Sequence, residues 1–146
     1  MSEIRTALDN FQLQREKRPD HIALICGENT RTWKEFDQRA NKVANALLVL
    51  GATKGDKVGI YALFNKSIEF MEVFYGAMKL GAIPFYVNYR YTAKEIQYIL
   101  EDTDADFLFL QDKLLPPIQE IKTEISEIKK YVVIGDKENV PEDMIH

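Results

Sequence analysis

His21 and His146 are the only histidines, and they stand at a strand start and at the last residue, so neither a Ser/His/Asp relay nor a histidine metal site has enough parts. Cys26 is the only cysteine and lies in the apolar run HIALIC, which excludes an internal disulfide and any CxxC metal or redox site; it reads as a small buried apolar residue. The carboxylates Glu101, Asp102, Asp104 and Asp106 are close enough in sequence to suggest a hard-cation site. They lack the glycine and spacing of a calcium loop, and they fall in a helix-to-strand turn where Asp serves its own backbone. The seven glycines are isolated, with neither GxGxxG nor GxxxxGK[ST], so no phosphate cradle is assigned. The aromatics Phe85, Tyr86, Tyr89 and Tyr91 have too few interleaved cations for a nucleic-acid platform and read as part core, part cleft rim.

The elements that must position these residues repeat. Strand-like runs at Val58 to Phe64, Ile83 to Asn88, Asp106 to Gln111 and Tyr131 to Asp136 start roughly 24 residues apart, the length of one βα unit. That rhythm predicts a three-layer α/β domain of Rossmann-like type with a mostly parallel sheet. A helix over Thr6 to Lys17 precedes it, stopped by Pro19, and His21 to Cys26 with Thr30 to Trp33 read as an edge hairpin outside the parallel sheet. Thr32 with Glu35 and Thr92 with Glu95 are capping boxes that open helices. A last helix is predicted from Pro116 to Lys129, with Ile118, Ile121, Ile125 and Ile128 on one stripe.

The helix over Ser67 to Lys79 is apolar around most of its circumference, leaving a narrow polar stripe of Glu69, Glu72 and Lys79. It is expected to be the central buried helix, with Phe74 in the core. Gly76 in its interior implies close approach of another backbone. The element covering its second side is expected to be missing.

Composition bounds the rest. Apolar residues make up 46% and charged residues 29%, ordinary for a globular domain. The 19 basic and 23 acidic residues are interspersed and give a net charge of −4, so no nucleic-acid partner is expected. Apolar runs break well short of the roughly 20 residues of a bilayer span, and the N-terminus has no apolar central segment of a secretory signal. No membrane span and a cytoplasmic location are the expectations. In domain terms the reading is residues 1–20 as an N-terminal helix, 21–136 as the α/β body and 137–146 as a polar tail.

From about His21 to Asp136 the sequence resembles the opening of the adenylate-forming, AMP-binding superfamily of acyl-CoA synthetases, peptide adenylation domains and luciferases. The residues that carry the resemblance are RTWKEF at a helix start, GATKGDKV before a strand, NKSIEF on the next helix, Gly76 to Ala82 as G-A-x-x-x-G-A, and Asn88 to Ile96 as N-x-R-x-T-x-x-E-I. The wording VNYRYTAKEIQYIL is most like fatty-acyl-CoA synthetases.

The resemblance implies a parent enzyme roughly four or five times as long, of which this chain is an N-terminal portion. It implies ATP, Mg2+ and CoA for that parent, with the carboxylate attacking the α-phosphate of ATP and the CoA thiol then displacing AMP. The family's phosphate loop ending in Pro-Lys, its aromatic-Gly-x-Thr-Glu segment and its C-terminal Lys have no counterpart here, so no catalytic residue and no cofactor is assigned to this chain, which is expected to be inactive alone. Ligands in open α/β sheets sit beyond the carboxyl ends of strands, which points to Asn65 and Asn88 as walls of the acyl pocket or, equally, as turn residues. The expected partners are the rest of the parent enzyme and a second copy docked on an uncovered strand edge or helix face. A stand-alone binding or interaction domain without catalysis is the alternative.

Overall fold

The computed structural model describes residues 6–63 and 67–146. Helix α1 (Ala7–Lys17) leads into a two-stranded antiparallel sheet of β1 (Ile22–Cys26) and β2 (Asn29–Thr32), the expected hairpin outside the parallel sheet. Then come α2 (Trp33–Val49), β3 (Lys57–Tyr61), α3 (Glu69–Leu80), β4 (Ile83–Val87), α4 (Ala93–Asp102), β5 (Phe107–Gln111), α5 (Leu115–Ile121) and β6 (Lys130–Ile134). Strands β3 to β6 form one parallel sheet in the order β4-β3-β5-β6.

Both predicted capping boxes form. Thr32 and Thr92 accept the amides of Glu35 and Glu95, whose carboxylates return to the Thr amides at 2.8 Å. Thr6 with Asp9 makes a third at the start of α1.

Period-2 alternation divides the sheet between two cores. Val58, Ile60, Phe107 and Phe109 face α2 and α3, meeting Leu47, Val73 and Ala77. Tyr61, Val87, Leu108 and Leu110 face α4 and α5, meeting Ile96, Leu100, Ile118 and Ile121. Helix α1 is pinned by Phe11, whose ring lies 4.8 Å from Tyr75 and 4.9 Å from Phe36.

The structure corrects three expectations. The last helix ends at Ile121 rather than Lys129, although Ile125 and Ile128 are still buried. Their spacing is met equally by a turn and an extended segment, and the β-branched residues with Ser126 favour helix weakly. The side of helix α3 that carries Gly76 is covered within the chain. A Cβ at Gly76 would stand 2.6 Å from Val43 Cβ and 2.8 Å from the Ala40 carbonyl oxygen, so the backbone that comes close is α2 of the same chain. Phe74, expected in the core, is only half-buried, and Glu72, placed in the narrow polar stripe, is 1% exposed.

The sheet edges are also less open than expected. Ile83 donates its amide to Asp56 at 2.8 Å, so in β4 the residues whose main-chain groups point outward are Pro84 and Tyr86. Pro84 has no N–H to offer, a common device on edge strands. At the other edge Ile145 pairs with Val132, donating to Tyr131 at 3.0 Å, and Met144 is buried beneath it. Among the described residues no helix is long and apolar enough to cross a membrane.

Candidate functional site

The chain runs from β3 outward to β4 and then returns across β3 to β5, so the direction of winding reverses between β3 and β5. Connections leave opposite faces of the sheet there and open a crevice beyond the carboxyl ends of the two strands, the usual ligand position in open α/β sheets. A cleft of about 600 Å3 occupies that position, lined from β3 and β5 by Leu63, Gln111 and Asp112 and from β6 by Ile134, Gly135 and Asp136. Arg39 of α2, Glu69 of α3, Lys113 and His146 complete the wall.

Two side chains fix its floor. Gln111 Oε1 accepts the Leu63 amide at 2.9 Å, bridging the ends of β3 and β5, and its amide group remains available as a donor. Asp112 ties β5 to β6. It accepts the Lys113 amide at 2.8 Å, the Asp136 amide at 3.2 Å and the Asn139 side-chain amide at 2.9 Å. The Asn139 bond, with those two amides, outweighs burial and holds the Asp112 carboxyl below the usual carboxylate range. Gly135 makes this possible: its φ is +140°, and a Cβ there would lie 2.4 Å from Asp112 Cγ. His146 Nε2 lies 2.8 Å from the Gly135 carbonyl oxygen.

Arg39, in the wall of the cleft, is held by a buried charge. Glu72 accepts Arg31 Nε at 3.1 Å and Arg39 Nε at 2.9 Å, joining β2, α2 and α3 through one carboxylate. Among the described residues the cleft balances Arg39 and Lys113 against Glu69, Asp112 and Asp136, and offers no row of amides to a phosphate. It can orient a polar group. No paired acid and base for proton transfer stands among those residues.

Asn88 sits at the carboxyl end of β4, on the other side of β3 from the crevice, and is not among the cleft residues. Its Oδ1 accepts the Arg90 amide at 3.0 Å and its carbonyl accepts the Tyr91 amide, a turn that leads into α4. Asn65 lies outside the described residues. The carboxylates Glu101 to Asp106 lie toward the opposite, amino ends of the strands. There Asp106 accepts the Lys57 amide at 2.8 Å and pairs with Lys129 at 2.9 Å, a bond that raises the Lys129 pKa. Cys26 is half-buried. Sequence reasoning missed Arg39, Gln111, Asp112 and Gly135, because the crevice depends on strand order; the polar endings of FLFLQD and YVVIGD were the available signal.

Similarity to known proteins agrees with this geometry. The family model described as AMP-binding enzyme matches residues 11–145. A medium/long-chain-fatty-acid–CoA/3-oxocholest-4-en-26-oate–CoA ligase of Mycobacterium marinum is 32% identical over 118 residues, 81% of this chain and 21% of that protein. A 3-hydroxybenzoate–CoA/4-hydroxybenzoate–CoA ligase of Thauera aromatica is 29% identical over 84% of this chain and 23% of its own. The chain thus spans about a fifth of the length of these curated relatives, 21% and 23%. Among solved structures, that of the anthranilate–CoA ligase AuaEII with anthranoyl-AMP superposes with a TM-score of 0.90 at 31% identity, over 97% of this chain and 27% of that one. Sequence match and superposition agree with the predicted motifs: the chain belongs to the AMP-binding enzyme family and has the fold of the opening part of the adenylate-forming N-terminal domain.

Proposed function

We propose that this chain is the opening portion of an ATP-dependent, AMP-forming acid–CoA ligase of the fatty-acyl type, supplying scaffold and crevice wall rather than reacting groups. The observation that carries the reading is the 32% identity to a fatty-acid–CoA ligase over 81% of the chain. In such an enzyme a carboxylate oxygen attacks the α-phosphate of ATP, releasing pyrophosphate, and a CoA thiol then displaces AMP. That chemistry depends on positioning and on cationic and amide donors around the phosphates. What these residues supply is narrower. Gln111 and Asp112 hold the ends of β3, β5 and β6 in register, and Arg39 and Lys113 place positive charge at the crevice.

The parent's magnesium finds no fit here. Among the described residues no group of three or more His, Cys, Asp or Glu is placed to hold a metal, and Asp112 already accepts three donors. Asn65, outside the described residues, and Asn88, just beyond β4, are the proposed walls of the acyl pocket in the assembled enzyme; for Asn88 the turn is the role its hydrogen bonds support.

The test is a panel of acids offered, with ATP and CoA, to the full-length enzyme carrying this sequence. Medium- and long-chain fatty acids are expected to support AMP release above benzoates. A preference for hydroxybenzoate or anthranilate would overturn the fatty-acyl reading while leaving the ligase reading in place.

A further inference from the structure

We propose that the concave surface lined by Arg31, Glu35, Gln38, Arg39 and Lys42 binds a phosphate group, beside the crevice and sharing Arg39 with its wall. Its origin is the carboxylate beneath it. Glu72 is 1% exposed and takes the Nε of both Arg31 and Arg39, so each guanidinium is tied inward by one nitrogen. A guanidinium has five N–H donors. Arg31 gives one more to the Thr30 carbonyl at 2.9 Å, and the remaining donors of both forks are left for the surface, where their side chains are 29% and 47% exposed.

One carboxylate between two guanidinium ions leaves a positive charge. Lys42, three residues after Arg39 on the same face of α2, adds another, and among the described residues it makes no ion pair. Glu35 is the opposing charge, but its carboxylate accepts the Thr32 amide at 2.8 Å and the Thr32 hydroxyl at 3.2 Å. The local balance is therefore positive in a chain whose net charge is −4. Forked donors match the oxygens of phosphate, and arginines already oriented by a buried partner lose less freedom on binding. The hollow measures about 200 Å3, below the roughly 300–1,000 Å3 of small-molecule pockets, so it takes a charged end group rather than a whole cofactor.

Free phosphate and a phosphomonoester share the chemistry that this surface recognises, and NMR titration of the chain at constant ionic strength distinguishes the two. Inorganic phosphate and glycerol 3-phosphate are the probes, with acetate as the singly charged planar control. Saturable shifts at the Arg31 and Arg39 Nε–H groups with both phosphates, weakened about tenfold in Lys42→Gln, are the expected result. A response to inorganic phosphate alone supports the site with the free anion as its source. No saturable shift by about 20 mM, an equal response to acetate, or unchanged affinity in Lys42→Gln would each overturn the proposal. Lys42 is exposed and outside the core, so that variant keeps the fold.

Discussion

Glu72 shows how burial, not residue type alone, decides what an ion pair is worth. The Glu72 side chain is 2% exposed while the side chains of its arginine partners are 29% and 47% exposed, so the three members are not equivalent. In Glu72→Gln the arginines turn to water and the amide stays buried as an acceptor, which should cost about 1 to 2 kcal/mol. Replacing both Arg31 and Arg39 by Ala strands a buried carboxylate, at about 3 to 5 kcal/mol. Urea melts of both variants beside the parent chain check the order, and a double variant that loses less than Glu72→Gln would contradict it. Asp112 carries a pH dependence. Its folded pKa is lowered, so its contribution is present above the ordinary carboxylate pKa of about 4 and lost as pH falls through the folded value. Asp112→Asn should therefore flatten the acid limb of a stability-against-pH curve; an unchanged limb would show that the β5–β6 tie is idle.

At the scale of elements, the packing of α2 on α3 sets the architecture of the second core. Gly→Ala in an exposed helix interior gains about 1 kcal/mol. At Gly76 the added methyl meets Val43 and the Ala40 carbonyl, so Gly76→Ala should instead destabilise, by about 1 to 3 kcal/mol. A stabilised Gly76→Ala variant in denaturant melts would mean the helices do not approach as described. Phe74 is half-buried and should lose about 1 to 2 kcal/mol on truncation, less than the 3 to 5 of a filled core site. Much of this level was legible beforehand. The capping boxes name their own hydrogen bonds, and the recurring strands gave the parallel sheet, because both signals are local. The end of α5, the burial of Glu72 and the partner of Gly76 were not legible: each depends on which distant segment packs there. The crevice was hidden for the same reason, since Leu63 and Gln111 become neighbours only once β3 and β5 pair.

For the whole molecule, the described surface accounts for part of what surrounds it. Pro84 removes a donor from one sheet edge and Ile145 occupies part of the other, yet Ile22, Ile25, Val49 and Tyr98 are 57%, 72%, 86% and 63% exposed. Apolar exposure of that kind is expected where further chain packs in a larger enzyme. A second copy, if it associates, should use those faces rather than the β4 edge, and sedimentation equilibrium with a Val49→Lys variant reads this as a shift toward monomer; association unaffected by that variant would exclude the face. The central proposal concerns chemistry: that this chain positions and does not react. Its most direct test is exchange of labelled pyrophosphate into ATP by the purified chain with magnesium and a fatty acid. The account predicts no acid-dependent exchange above the protein-free background, and acid-dependent exchange by this chain alone would contradict it.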